Sequence, residues 1–175
     1  MEKIILASAS PRRIELLRRI GIEAEVRPSH ADEKIPEDHR TPREVVEELS
    51  RRKAADVAEH VKNEEDACRM LRKLSGRRNI VYTGVTILLI RGCEIAETDT
   101  FSNATCVFFY PLEEEEILAY VRSGEPMDKA GAYGIQGYCA RYITGIKGDY
   151  YNVVGLPVAA VYAALSRLGC TGPET

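Results

Sequence analysis

Apolar residues recur along this chain with two different spacings, and the alternation between them outlines its elements. Ile4-Ile5-Leu6 is a compact apolar run ended by small residues, so Lys3 to Ala7 reads as a short buried strand. Ser10 and Pro11 then make a helix start: the serine hydroxyl can accept an early backbone N–H, and proline suits the first helical position because no donor is needed there. Ile14, Leu16, Leu17 and Ile20 share one helical face, and Gly21 supplies the stop. Ala24-Glu25-Val26 reads as a second strand. A polar stretch from Ser29 to Arg40 follows. Thr41-Pro42-Arg43-Glu44 has the form of a capping box opening a helix whose core face carries Val45, Val46, Leu49, Ala54 and Val57. A third helix is expected from Glu64 to Leu74.

Beyond that helix the spacing changes. Asn79 to Ile90, rich in Val, Ile, Thr and Tyr, predicts a long strand, Arg91-Gly92 a turn, and Cys93 to Thr98 and Ala104 to Tyr110 two further strand segments. Pro111 and the acidic run Glu113 to Glu116 open another helix, where negative charge favours the positive end of the helix dipole; the run reads as a helix start rather than a metal site. Tyr138 to Ile143 and Tyr150 to Val153 predict late strands, and Leu156 to Leu168 a closing helix. Strands and helices alternate early and strands cluster in the middle, so the expected class is α/β with a mixed β-sheet flanked by helices.

Composition narrows the function classes. With 175 residues, 45% hydrophobic and 29% charged, the chain has the size and balance of a single soluble domain. Its formal charge of -3 arises from 27 acidic and 24 basic residues spread along the sequence, which favours neither nucleic acid nor a membrane surface. An anionic ligand must therefore be attracted locally. Cys68, Cys93, Cys106, Cys139 and Cys170 are far apart with no C-x-x-C pair, so reduced structural thiols are expected. His30, His39 and His60 form no H-E-x-x-H pattern and have no evident Cys or Ser partner. The apolar run after Met1 is too short for a signal-peptide core, and Ile80 to Ile90 is too short to span a bilayer; a cytoplasmic location is expected.

Two segments carry candidate chemistry. Ser8-Ala9-Ser10-Pro11-Arg12-Arg13 stands at a strand-to-helix junction, where helix N–H groups, two hydroxyls and two guanidiniums can converge on an anion such as phosphate. The alternative is an ordinary capped helix with solvated arginines. Gly124 to Gly137 packs four glycines, Lys129, Asp128 and Gln136 into a short stretch, a composition that lets backbone turn tightly and approach a ligand. Gln136 has the paired donor and acceptor needed to read a base edge, or it ties down the loop.

These segments, with Asp32-Glu33, Arg52-Lys53-Ala54, Leu74-Ser75-Gly76-Arg77 and Gly148-Asp149-Tyr150 through Gly155-Leu156-Pro157, resemble successive motifs of the Maf family of nucleoside triphosphate pyrophosphatases, in the same order and over nearly the whole chain. The resemblance implies one Maf-like domain over residues 1–175, an elongated α/β fold with a central cleft, and hydrolysis of a nucleoside triphosphate to the monophosphate and pyrophosphate with a divalent metal, magnesium or manganese. Ser-Pro-Arg-Arg together with Gln136 resembles the branch acting on dTTP and UTP. By the same resemblance Ser8, Arg12 and Arg13 hold phosphates, Glu33 helps to bind the metal, Lys53 neutralises phosphate charge, and Arg12 and Gln136 bear on base choice.

One part of the family pattern is missing. Between the Lys53 helix and Leu74-Ser75-Gly76-Arg77 the family has a strand ending in Gly-Ala-Asp-Thr, a hairpin and a Lys-Pro pair; here Val57-Ala58-Glu59-His60 runs almost directly into Val61-Lys62-Asn63-Glu64, as though an internal deletion near residues 60–62 had removed about two strands. The family's catalytic aspartate belongs to that segment, so no catalytic base is assigned. Thr98-Asp99-Thr100 resembles Ala-Asp-Thr only superficially, and the role is not transferred to Asp99. Asp32, Glu33, Glu65, Asp66 and Asp128 are the carboxylates left to substitute, and a base must reach the attacking water by a hydrogen bond. Two readings follow: a dTTP/UTP pyrophosphatase impaired by the loss, or a nucleotide-binding module without catalysis. Removing interior strands also leaves their neighbours needing partners, which a homodimer can supply.

Overall fold

The computed structural model describes residues 3–28, 44, 63–129 and 131–171. Asp32, Glu33, Lys53, the chain around His60 and, apart from Glu44, the helix expected from Thr41 lie outside the described residues. In chain order the elements are β1 (Ile4–Leu6), α1 (Pro11–Arg19), β2 (Ala24–Val26), α2 (Glu64–Leu74), β3 (Arg78–Arg91), β4 (Glu94–Phe109), α3 (Glu114–Arg122), β5 (Ile143–Lys147), α4 (Tyr150–Val154) and α5 (Val158–Arg167), with 3-10 helices at Glu125–Asp128 and Tyr138–Tyr142. The class is mixed α/β: β1 and β2 pair in parallel, and a second sheet has the order β3-β4-β5 with β4 and β5 antiparallel. The chain divides into two compact units, Met1–Val57 with Tyr82–Asn103 and Gly155–Thr175, and Ala58–Val81 with Ala104–Val154.

In the first unit β1, α1 and β2 form a βαβ step with Ile4 opposite Ala24 and Leu6 opposite Val26. The helix ends as the sequence predicts. Gly21 takes φ +74, its N–H bonds Arg18 O, and the Ile22 N–H reaches back to Leu17 O, the paired bonds that close a helix through a left-handed glycine. Leu17 and Ile22, the apolar pair expected to accompany this turn, are both buried. α5 stops in the same way at Gly169, with Gly169 N–H on Ser166 O and Cys170 N–H on Leu165 O.

The second unit has a contiguous core built from α2, α3, the end of β4, the glycine-rich loop and the 3-10 helix Tyr138–Tyr142, including Leu71, Val107, Phe109, Tyr120 and Tyr133. Side chains of this size contribute about 1.5–3 kcal/mol each on burial. Phe109 and Tyr133 meet edge to face with centroids 5.0 Å apart. α2 is capped by Asn63, whose Oδ1 accepts the Asp66 N–H at 2.8 Å. α3 opens with a reciprocal capping box between Glu113 and Glu116, which bears out the acidic run as a helix start.

Three expectations change. The two strand segments after Gly92 are one strand, β4, because pairing with β3 carries it through the polar residues between them; Thr86 and Thr100 share a hydroxyl bond across the hairpin at 3.1 Å. Tyr138 to Tyr142 is a 3-10 helix and the strand follows it from Ile143, the three-residue spacing placing Cys139 and Tyr142 both inside. Tyr150 to Val154 is helical, its start fixed by the Tyr151 N–H on Asp149 Oδ1. Aromatic and β-branched residues suggest strand in both places, yet their preference records burial against neighbours more than an intrinsic backbone state.

Candidate functional site

The first candidate segment lies in the unit that contains β1 and α1. β1 ends at Leu6, and four residues carry the chain to the start of α1, so Ser8, Arg12 and Arg13 gather at the positive end of that helix. Ser10 occupies the cap position, but its side chain makes no capping bond, contrary to the sequence expectation. Ser8 instead engages the cap residue and an arginine of the first turn. Its buried hydroxyl oxygen accepts the Ser10 N–H at 3.3 Å and Arg13 Nη1 at 3.3 Å. Both lone pairs are then used, and the hydroxyl hydrogen is left to donate. Arg13 Nε donates to the Gly155 carbonyl at 3.2 Å, so the guanidinium is gripped on two sides. Arg12, the next residue back, is half-buried.

The second segment lies in the other unit. Gly124 turns the chain with φ +75 into the 3-10 helix Glu125–Asp128, and Lys129 pairs with Asp128 while its stem crosses Gly134. Glu125 folds back under the loop: its carboxylate accepts the Tyr120 hydroxyl at 3.1 Å and the Tyr138 N–H at 2.8 Å. Gly137 is required by this arrangement, since a Cβ there would lie 2.2 Å from Glu125 Oε1. Gln136 is exposed, and its side chain makes no hydrogen bond among the described residues. The loop is tied by Glu125 and Tyr120 rather than by Gln136. The sequence places Glu125 in the segment without giving it a task; its spacing from Gly137 and Tyr138 is the only signal available there.

Burial sets the electrostatics around this loop. It pushes the Cys139 thiol up to about 12, with the nearby Glu125 charge adding to the effect. It also raises the Tyr120 hydroxyl, and it carries Tyr133 up to about 12 although a bond from Asn79 works the other way. These groups stay protonated at neutral pH, so Tyr120 is a fixed donor to Glu125 and Cys139 is not a nucleophile.

In the Gly148 to Pro157 segment, Thr105 Oγ1 donates to Asp149 O at 3.0 Å and accepts Asp149 N–H at 3.1 Å and Asn152 Nδ2 at 3.0 Å. Asn152 Nδ2 also donates to Val81 O at 3.1 Å. Asn152 is fully buried, and its Oδ1 makes no hydrogen bond among the described residues. This cluster fixes the loop before α4.

Of the carboxylates left to substitute for a base, Asp66 is paired with Arg69 and Asp128 with Lys129, while Glu65 is exposed in the first turn of α2. Asp99, to which the role is not transferred, is paired with Arg167 at 2.6 Å. Asp32, Glu33 and Lys53 lie outside the described residues. No group of three His, Cys, Asp or Glu poised for a metal occurs among the described residues, and none of the described helices is long and apolar enough to cross a membrane.

Comparison with known proteins covers nearly the whole chain. The family model described as Maf-like protein matches in two segments, residues 3–65 and 59–168. The chain is 46% identical over 204 residues to a dTTP/UTP pyrophosphatase of Agathobacter rectalis, with 97% of this chain and 98% of the relative covered. A dTTP/UTP pyrophosphatase of Geobacillus sp. is 43% identical over 191 residues, covering 97% and 100%, and one of Koribacter versatilis is 44% identical over 191 residues, covering 95% and 94%. Each alignment is longer than the 175 residues of the chain, so each contains positions that this sequence skips.

Proposed function

The chain belongs to the Maf family, and from that premise we propose that it acts on dTTP and UTP, releasing the nucleoside monophosphate and pyrophosphate. The observation that carries the reading is the grip on Arg13. A guanidinium bonded through Nε to Gly155 O and through Nη1 to Ser8 Oγ is held ready beside a hydroxyl that can donate, at the positive end of α1. Phosphate oxygens suit such a cluster because planar N–H groups, a hydroxyl and a helix terminus all favour the same anion. Arg12 and Lys53 add charge to neutralise the triphosphate, and Gln136 supplies the exposed amide that meets the base. Water attacks the α-phosphorus, and the bond to the leaving pyrophosphate breaks; cations facing the phosphates stabilise the charge that builds there.

A divalent metal, magnesium or manganese, belongs to this proposal. Glu33, with Asp32 beside it, offers the hard oxygen donors that such an ion prefers, and the ion's chemistry is to offset phosphate charge. The reaction is placed in the cytoplasm, on a free nucleotide and without nucleic acid or membrane.

A second reading is favoured by one observation. The two segments of the family match overlap at residues 59–65, and no Gly-Ala-Asp-Thr occurs in the sequence, which supports the reading that the segment bearing the family's base is lost there. A protein that holds the triphosphate and lacks its base binds without rapid turnover. The purified chain should be incubated with dTTP, UTP and purine triphosphates plus magnesium or manganese, with pyrophosphate release and binding both measured. Release that disappears in Glu33→Ala supports the enzyme; binding without release supports the module; neither overturns both. A homodimer that covers the gap is part of the same proposal, and a monomer by sedimentation with ordinary cooperative unfolding would count against it.

A further inference from the structure

We infer that Glu125 is the positioning residue that presents Gln136 to the nucleobase, a role that rests on the reading of Gln136 above. Three points of the loop are fixed by one carboxylate and one phenol. The Gly134 N–H reaches Tyr120 Oη at 3.4 Å, the Cα of Gly137 lies against the Glu125 carboxylate with no room for a Cβ, and the Tyr138 N–H donates to Glu125 Oε2 at 2.8 Å. Tyr120 closes the circuit by donating to Glu125 Oε1 at 3.1 Å.

The anchor itself is well held. Tyr120 is fully buried in the core of its unit. Ser123 Oγ donates to Tyr120 O at 2.6 Å and accepts the Glu125 N–H at 3.3 Å, which fixes the backbone from which the carboxylate departs. Beyond the loop, Tyr138 stacks on Tyr120 with the rings 5.9 Å apart and 10° from parallel, and the Arg141 guanidinium lies 3.7 Å over the centre of the Tyr138 ring.

Gln136 lies between the pinned positions. Its neighbours are fixed on both sides, and its own amide is exposed with no bond among the described residues. An amide on a loose loop would lose conformational entropy when it met a ligand; on this loop the backbone part of that cost is met in advance by Glu125. The amide then has an acceptor and a donor side by side for the imide edge of uracil or thymine, which presents an N–H beside a carbonyl. Glu125 touches no substrate in this scheme and acts through Gln136.

The test compares a ligand that has a base with one that has none. Magnesium dTTP and magnesium tripolyphosphate are titrated by calorimetry into the full chain and into Glu125→Gln, Gly137→Ala, Gln136→Ala and the double variant Glu125→Gln/Gln136→Ala. Glu125→Gln keeps the side chain's size but turns one acceptor into a donor facing Tyr138 N–H or Tyr120 O–H, and Gly137→Ala displaces the carboxylate while keeping its charge. Both should weaken dTTP about tenfold, the scale of one hydrogen bond to a charged group, and leave tripolyphosphate within about twofold. The double variant should be no weaker for dTTP than Gln136→Ala alone, as expected of residues acting in series. Equal weakening of both ligands, or an unchanged ratio between them in both single loop variants, overturns the role of Glu125 while leaving the proposed function standing. A parent chain that binds dTTP no better than tripolyphosphate overturns the reading of Gln136 and this inference with it, and that outcome is visible before any variant is made.

Discussion

At the scale of single residues, glycines show how unevenly this structure depends on its smallest side chains. Gly148 has φ +127, and a Cβ there would lie 2.9 Å from Thr105 Oγ1 and 3.1 Å from Ala104 O, where the Thr105 hydroxyl already serves Asp149 and Asn152. Gly148→Ala should cost about 2–3 kcal/mol, combining left-handed strain with displacement of that hydroxyl. Gly145 is the control: it lies in β5, and a Cβ there would meet nothing within 4 Å, so Gly145→Ala should change stability by less than about 0.5 kcal/mol. Urea unfolding of the two variants decides the matter, and equal midpoints would refute the reading. Ser8 and Arg13 are legible at this scale because their motif is contiguous. The carbonyl that holds Arg13 belongs to Gly155, at a sequence separation of 142, and no local pattern marks it.

Among the elements, agreement is best where a boundary is decided by its own residues. α2 begins where Asn63 can cap it and ends at Leu74 as the apolar spacing requires. Asn63→Ala should lower stability by about 1 kcal/mol, the usual value of such a cap, and the loss should be regained in Asn63→Asp, whose oxygen can accept the same Asp66 N–H. Thermal melts at neutral pH measure this directly. Tyr138–Tyr142 and Tyr150–Val154 differ from the sequence expectation because their ends depend on distant or side-chain partners: Tyr138 N–H on Glu125, and the Asp149 turn locked by Thr105. The polar middle of β4 reads as a break in sequence for a related reason, since a strand's continuity is supplied by its partner strand.

For the molecule as a whole, the pH response reports on the buried groups of the second unit. Cys139, Tyr120 and Tyr133 all have raised values, so the folded state holds these protons more tightly than the unfolded chain does. The sign follows: their contribution is intact below the ordinary thiol value of 9.0 and is lost as pH rises from there towards 12. The melting temperature should therefore fall steeply above pH ~9, and Cys139→Ala should remove the earliest part of that fall. On the acid side, the bond to Arg72 holds the exposed Glu114 carboxylate low, so the α2–α3 ion pair is intact above the usual carboxylate range and is lost as pH falls below it.

By itself the sequence determined the α/β class, most helix ends, the turn at Arg91-Gly92 and the family, because capping groups, glycine stops and apolar periodicity act within a few residues and the family motifs are contiguous. Tertiary structure alone decided that Ser8 rather than Ser10 bonds the Arg13 guanidinium, that Gly155 holds Arg13 from the other side, and that Glu125 rather than Gln136 ties the glycine-rich loop. The physical reason is common to all three. A hydrogen bond is assigned by which donors and acceptors meet after the backbone has folded, and each of these choices selects among several groups that the sequence presents as equally able.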